Sequence, residues 1–236
     1  MSHASVSERL FGTLEIDEAD RIHVVRRAYG YLILCIACAA AGGYFATHVP
    51  ALVEFLSRPI GYMVGFVIIN ITPQLAIWAS KRDNWPLRLL TLGLNGFLTG
   101  VAMSPLLFLA SRHAPGALPI AAMLSAGAFG LITLLVLVMG AHFIALALTL
   151  MVVTMVGLLG AVLMALFHVP LLPAALSLVF ILFGAVQLIL ATGLLLTSDE
   201  LGEEFSEPVV AALLLYAGMF HIFQGILGLL RSHEED

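Results

Sequence analysis

The sequence predicts an all-α integral membrane protein of seven transmembrane helices, on three observations. Hydrophobic residues make up 61% of its 236 residues and charged ones only 11%, with a mean hydropathy of +1.06. Soluble domains run at roughly 45–50% apolar and about 25% charged. No Asp, Glu, Lys or Arg occurs between Arg112 and Asp199, and a surface facing water cannot be built over so long a stretch without charge. The apolar residues also gather into seven runs, each near the roughly 20 residues a spanning helix needs.

In order, the runs are Ala28–Val49, Pro59–Ala79, Leu89–Ala110, Ala117–Met139, Phe143–Phe167, Pro173–Thr197 and Pro208–Leu230. They divide the chain into a cytoplasmic N-terminal segment (1–27), a transmembrane domain (28–230) and a short tail (231–236). The weakest division is Gly140-Ala141-His142, between the fourth and fifth runs. Ser57 ahead of Pro59 and Ser206 ahead of Pro208 read as capping hydroxyls followed by a first-turn proline. Pro73 and Pro105 fall inside spans, where each removes a backbone donor and kinks the helix. Thr72, Gln74 and Ser104 are the candidate partners for the carbonyls so freed. Gly61-x-x-x-Gly65 and Gly96-x-x-x-Gly100 have the spacing that lets helices approach closely in lipid, and Gly157, Gly160, Gly225 and Gly228 add to it.

Basic residues set the orientation. Arg9, Arg21, Arg26 and Arg27 precede the first span, and Lys81, Arg82 and Arg88 lie in the second loop. Arg58, Arg112 and Arg231 fall on the other side. The amino terminus is therefore expected to be cytoplasmic. No cleavable signal peptide is visible in the polar first residues. The compact termini, with no lysine-rich retrieval tail, suggest a bacterial inner membrane more than an endoplasmic reticulum. A net charge of −5 with dispersed basic residues gives no case for nucleic acid. The lipid bilayer is the partner the composition demands.

Charged side chains inside a membrane are functional candidates by default, and these spans hold none. Buried carboxylate relays and hard-cation sites are thereby removed. Cys35 and Cys38 form a C-x-x-C inside an apolar run and read as small core residues, since reactive pairs sit at helix N-termini. No nucleophile–base pair, metal-ligand set or cofactor motif is legible, so no enzyme activity is expected. Asn70-Ile71-Thr72 fits a glycosylation pattern but lies within a span. His48, His113, His142 and His168 fall at span ends, whereas His221 lies about four turns into the seventh span. It is the candidate pH-sensing group, the alternative being a neutral histidine hydrogen-bonded to a neighbouring helix. Thr192, Gly218, Asn70, Gln187 and Gln74 are candidates to line a pathway near it. The loop from Ser198 to Glu207 carries five carboxylates in ten residues and reads as a solvated turn.

Several stretches together resemble the Bax inhibitor-1 and YccA-like membrane proteins. Arg26-Arg27-Ala28-Tyr29, leading into Leu34 through Tyr44, is similar to the family's first span. The segment from Asn95 to Leu106, with its Thr-Gly and Ser-Pro, resembles the third. Leu215-Tyr216-Ala217-Gly218-Met219-Phe220-His221-Ile222-Phe223 is similar to the last, which usually reads Leu-Tyr-Leu-Asp-Phe-x-Asn-x-Phe. The resemblance implies six helices wrapped around a central seventh. It also implies the activities of members: a pH-sensitive calcium leak, suppression of cell death, or restraint of a membrane-bound AAA protease. The paired aspartates of leaky members align with Gly218 and with Thr192 (or Leu196 in a slipped register), none of them acidic. His221, at the family's Asn position, is the candidate substitute. The expected function is regulation of other membrane proteins or stress responses through helix contacts; the alternative is a pH-sensitive calcium or proton leak.

Overall fold

The computed structural model describes residues 6–82, 84–139, 150–157, 160, 172–196 and 208–234. Among them the chain is helical and holds no strand. The helices are α1 (Val6–Thr47), α2 (Pro50–Ser57), α3 (Pro59–Ser80), α4 (Trp85–Ala102), α5 (Ser104–His113) and α6 (Ala117–Met139). A described stretch over 150–157 forms α7, followed by α8 (Leu172–Leu196) and α9 (Pro208–Glu234). Among the described residues, five helices are long and apolar enough to cross a membrane, and the α4–α5 pair, bent by 48°, makes a sixth if taken as one broken span. Apart from 150–157 and residue 160, the fifth expected span, Phe143–Phe167, lies outside the described residues, as do His142, His168 and the acidic loop.

Helix ends follow local chemistry, with two departures from expectation. Asn84 caps α4, its Oδ1 accepting from the Leu87 N–H at 3.2 Å. Ser57 does not cap α3: its hydroxyl donates back to the Val53 carbonyl at 2.7 Å, and Arg58 occupies the cap position without a side-chain bond. A helix-final serine is well placed for this back-bond to the carbonyl four residues earlier. The sequence 50–57, which falls between the first two apolar runs, is the short helix α2, started by Pro50 in its first turn. The α4–α5 break falls at Met103, two residues before Pro105, while α3 runs unbroken through Pro73. Thr72 and Ser104 do not serve the carbonyls the prolines free. The Thr72 hydroxyl lies between Ile68 O (3.0 Å) and Asn95 Oδ1 (2.8 Å), and Ser104 Oγ is buried with no partner among the described residues.

In hydrocarbon, apolar burial gives little net drive, so packing depends on how closely backbones approach. Glycine decides this at two seams. A β-carbon on Gly96 would strike the Cys35 backbone, and one on Gly100 would strike Ala39 and lie 2.8 Å from the Gly43 nitrogen. Residue numbers rise together along this seam, so α1 and α4 run parallel. At the second seam Gly184 meets Gly218 and Ile222, while Gly225 meets Ser177 and Ile181, which makes α8 and α9 antiparallel. Of the glycines recognised by spacing, Gly96 and Gly100 act at the first seam and Gly225 at the second.

The last helix is the centre of the bundle. It packs against α8, α6, α1, α3 and α5, and half of its span is buried, against 17% to 33% for the four other long apolar helices described. Leu188, Leu215, Ile222 and Leu92 are fully enclosed around it. The outward faces carry Met63, Val67 and Ile71 on α3 and Met123, Leu131 and Leu134 on α6, all exposed, as lipid-facing residues should be.

Candidate functional site between the last two helices

Two of the polar side chains singled out in the sequence meet at one place. His221 on α9 and Gln187 on α8 are joined by a 2.8 Å hydrogen bond between Nδ1 and Oε1. With Nδ1–H as donor, the imidazole is left with Nε2 as its acceptor. Three aromatic rings enclose it. Phe180 lies parallel to the imidazole at 5.9 Å, while Phe183 and Phe220 approach edge-on at 5.0 and 5.8 Å. The Ala217 carbonyl also faces the ring, and among the described residues none of the groups touching His221 is ionisable. On α8, Phe180, Phe183 and Gln187 recur at three and four residues, the spacing of one helix face. That spacing was available in the sequence, and the aromatic enclosure could have been found from it.

Gly218, one turn before His221, packs where an acidic side chain would have to fit. A β-carbon there would lie 2.8 Å from Leu188 Cγ and 2.9 Å from the Gly184 carbonyl. The two helices touch backbone to backbone at this level, leaving no room for a carboxylate. Thr192 is buried on α8, and its hydroxyl has no hydrogen-bond partner among the described residues. Asn70 lies on the outward face of α3 and Gln74 is exposed on the same helix. Neither joins the His221–Gln187 pair.

A second set of polar residues was missed as a group. Thr72 on α3 meets Asn95 on α4, and the Thr99 hydroxyl donates to the Asn95 carbonyl at 2.7 Å. Tyr216, one helix over on α9, is buried with its hydroxyl beside Thr99 but in no well-formed hydrogen bond. Cys35 and Cys38 are free thiols on α1 facing α4, and Cys35 Sγ lies 3.6 Å from the Leu92 carbonyl. These residues tie α1, α3, α4 and α9 together across the bundle. Single neutral residues on separate helices give no sequence spacing to detect, which is why they were not grouped.

Interhelical hydrogen bonds in membranes contribute about 0.6 kcal/mol on average and up to about 1.7. A double-mutant cycle of His221→Ala and Gln187→Ala, followed by reversible unfolding in bicelles, is expected to give a coupling of about 1 kcal/mol. Strict additivity would mean that the pair does not form.

This architecture is that of a polytopic helical membrane protein organised around its last helix, with a neutral polar pair buried between that helix and the one before it. The family model described as inhibitor of apoptosis-promoting Bax1 matches residues 21–235, and the chain belongs to that family. No curated protein and no solved structure matches it.

Proposed function

We propose that the protein acts through helix contacts in the bilayer, regulating other membrane proteins or stress responses, with a membrane-bound protease among its possible partners. The observation carrying this reading is the closed seam at Gly184 and Gly218. Where the family resemblance puts an acidic residue, two backbones are in contact instead. A calcium path needs several oxygen ligands, carboxylates foremost, and among the described residues this level of the seam supplies no carboxylate. The interior is thus specialised for cohesion, while the wide apolar faces of α3 and α6 remain available to neighbours. An integral location in a bacterial inner membrane with a cytoplasmic amino terminus fits this reading. In support, the parallel run of α1 and α4 brings Arg26 and Arg27 to the same end of the bundle as Lys81, Arg82 and Arg88.

Photo-crosslinkers at Met123, Leu131 and Leu134 on α6, and at Met63 and Val67 on α3, test the proposal in native membranes. A discrete adduct with another membrane protein is expected from one outward face and none from the buried Ala121 or Val136. Recovery of the protein alone from every outward position would overturn it.

The His221–Gln187 pair favours a second reading, a proton leak. A pathway lined by amides and imidazole can pass a proton without the field that selects divalent ions. Among the described residues the groups facing His221 are Gln187, Phe180, Phe183, Phe220 and the Ala217 carbonyl, none of them titratable, so any pH response there would belong to this histidine. Proton flux in liposomes that changes with pH in the wild type, and not in His221→Ala, supports the leak. Identical profiles remove it.

A further inference from the structure

We propose that Arg82 and Arg88, flanking the α3–α4 junction, form a binding site for the headgroup of an acidic phospholipid. The turn gathers Lys81, Arg82 and Arg88 within eight residues, against the single acid Asp83, which lies outside the described residues. Arg82 is exposed and stacks its guanidinium 4.0 Å above the Trp78 ring. Arg88 reaches back to donate to the Ser80 carbonyl at 3.0 Å, which anchors its guanidinium at the C-terminal end of α3. Among the described residues neither arginine meets a carboxylate. At the opposite end of the bundle, by contrast, Arg58 is paired with Glu54 at 2.6 Å.

Two further features suit a phosphodiester. Trp78 and Trp85 are both about half or more exposed, at 49% and 67%, and amphipathic indoles settle at headgroup depth. Arg26 and Arg27 are exposed at the same end of α1, so the positive field extends beyond the turn. Arginine presents its donors as a fork that matches phosphate oxygens. A guanidinium already held by Ser80 has less freedom to lose on binding. The resulting site takes an anionic headgroup at the turn and the acyl chains along the apolar outer face of α3.

The chain's two tryptophans are both in this patch, so intrinsic fluorescence reports on it without a label. The protein is reconstituted in phosphatidylcholine containing small amounts of chain-brominated phosphatidylglycerol or chain-brominated phosphatidylcholine, and quenching is compared. Wild type is expected to favour phosphatidylglycerol by roughly fivefold for each basic residue engaged, and added salt should lower the preference. Arg82→Gln with Arg88→Gln brings it towards parity. Lys81→Gln with Arg82→Gln, at two exposed positions, gives a partial loss. Arg58→Gln, at the other end, changes nothing. Equal quenching by the two lipids in wild type would overturn the proposal. So would a preference that survives both double substitutions.

Discussion

Replacing Gly218 with Asp is expected to disrupt the fold and to fail to create a calcium path. A β-carbon at this position already lies within 3 Å of Leu188 Cγ and the Gly184 carbonyl. Overpacking of this kind costs about 1–3 kcal/mol. An aspartate at the centre of a spanning helix costs about 3 kcal/mol more. The sum is a large part of the roughly 5–15 kcal/mol that holds a typical protein folded. Gly218→Ala carries the overpacking without the charge and is expected to lose only the first part. Thermal unfolding followed by size-exclusion in detergent separates the two. A Gly218→Asp protein as stable as wild type would mean that α8 and α9 are not in contact there.

Gly100→Leu is the second substitution with a large expected effect. Its β-carbon would fall on the Ala39 carbonyl, and the Gly43 nitrogen lies 2.8 Å away, so the obstacle is backbone and cannot rotate aside. The parallel α1–α4 seam would have to separate, at a cost of about 3 kcal/mol or more. Gly30→Leu is the matched control, because nothing lies within 4 Å of a β-carbon there. It is expected to be neutral or to gain up to about 1 kcal/mol through better helix propensity. Equal stability of the two variants would contradict the seam.

Most of the fold was legible because a bilayer permits few solutions. Apolar length located α3, α6, α8 and the span of α9 to within a residue or two, since a backbone in lipid must satisfy its own hydrogen bonds. Length said nothing about depth of burial. The centrality of α9 came from the resemblance, and its physical basis lies in Gly218, Gly225 and their backbone contacts with α8. The helical continuation of α1 back to Val6 was not read, because the polar sequence 6–20 carries no apolar run.

The candidate site was legible in part. His221 and Gln187 stood out as polar residues in apolar helices, and they are paired. Thr192, Gly218 and Asn70 were grouped with them on polarity and alignment. Helical rotation separates them: Asn70 turns outward, Thr192 is enclosed with no hydroxyl partner among the described residues, and Gly218 serves contact between helices. Which face of a helix turns inward is fixed by its neighbours, and an almost uniformly apolar span gives little pattern from which to read it.

The central claim is that the α8–α9 seam is a closed, neutral contact and that function resides on the outside of the bundle. The most direct test is calcium permeation through the purified protein in liposomes, compared with protein-free liposomes at neutral and acidic pH. The account predicts no flux above the lipid background at either pH. Calcium entry that is carried by the protein and gated by pH would contradict it.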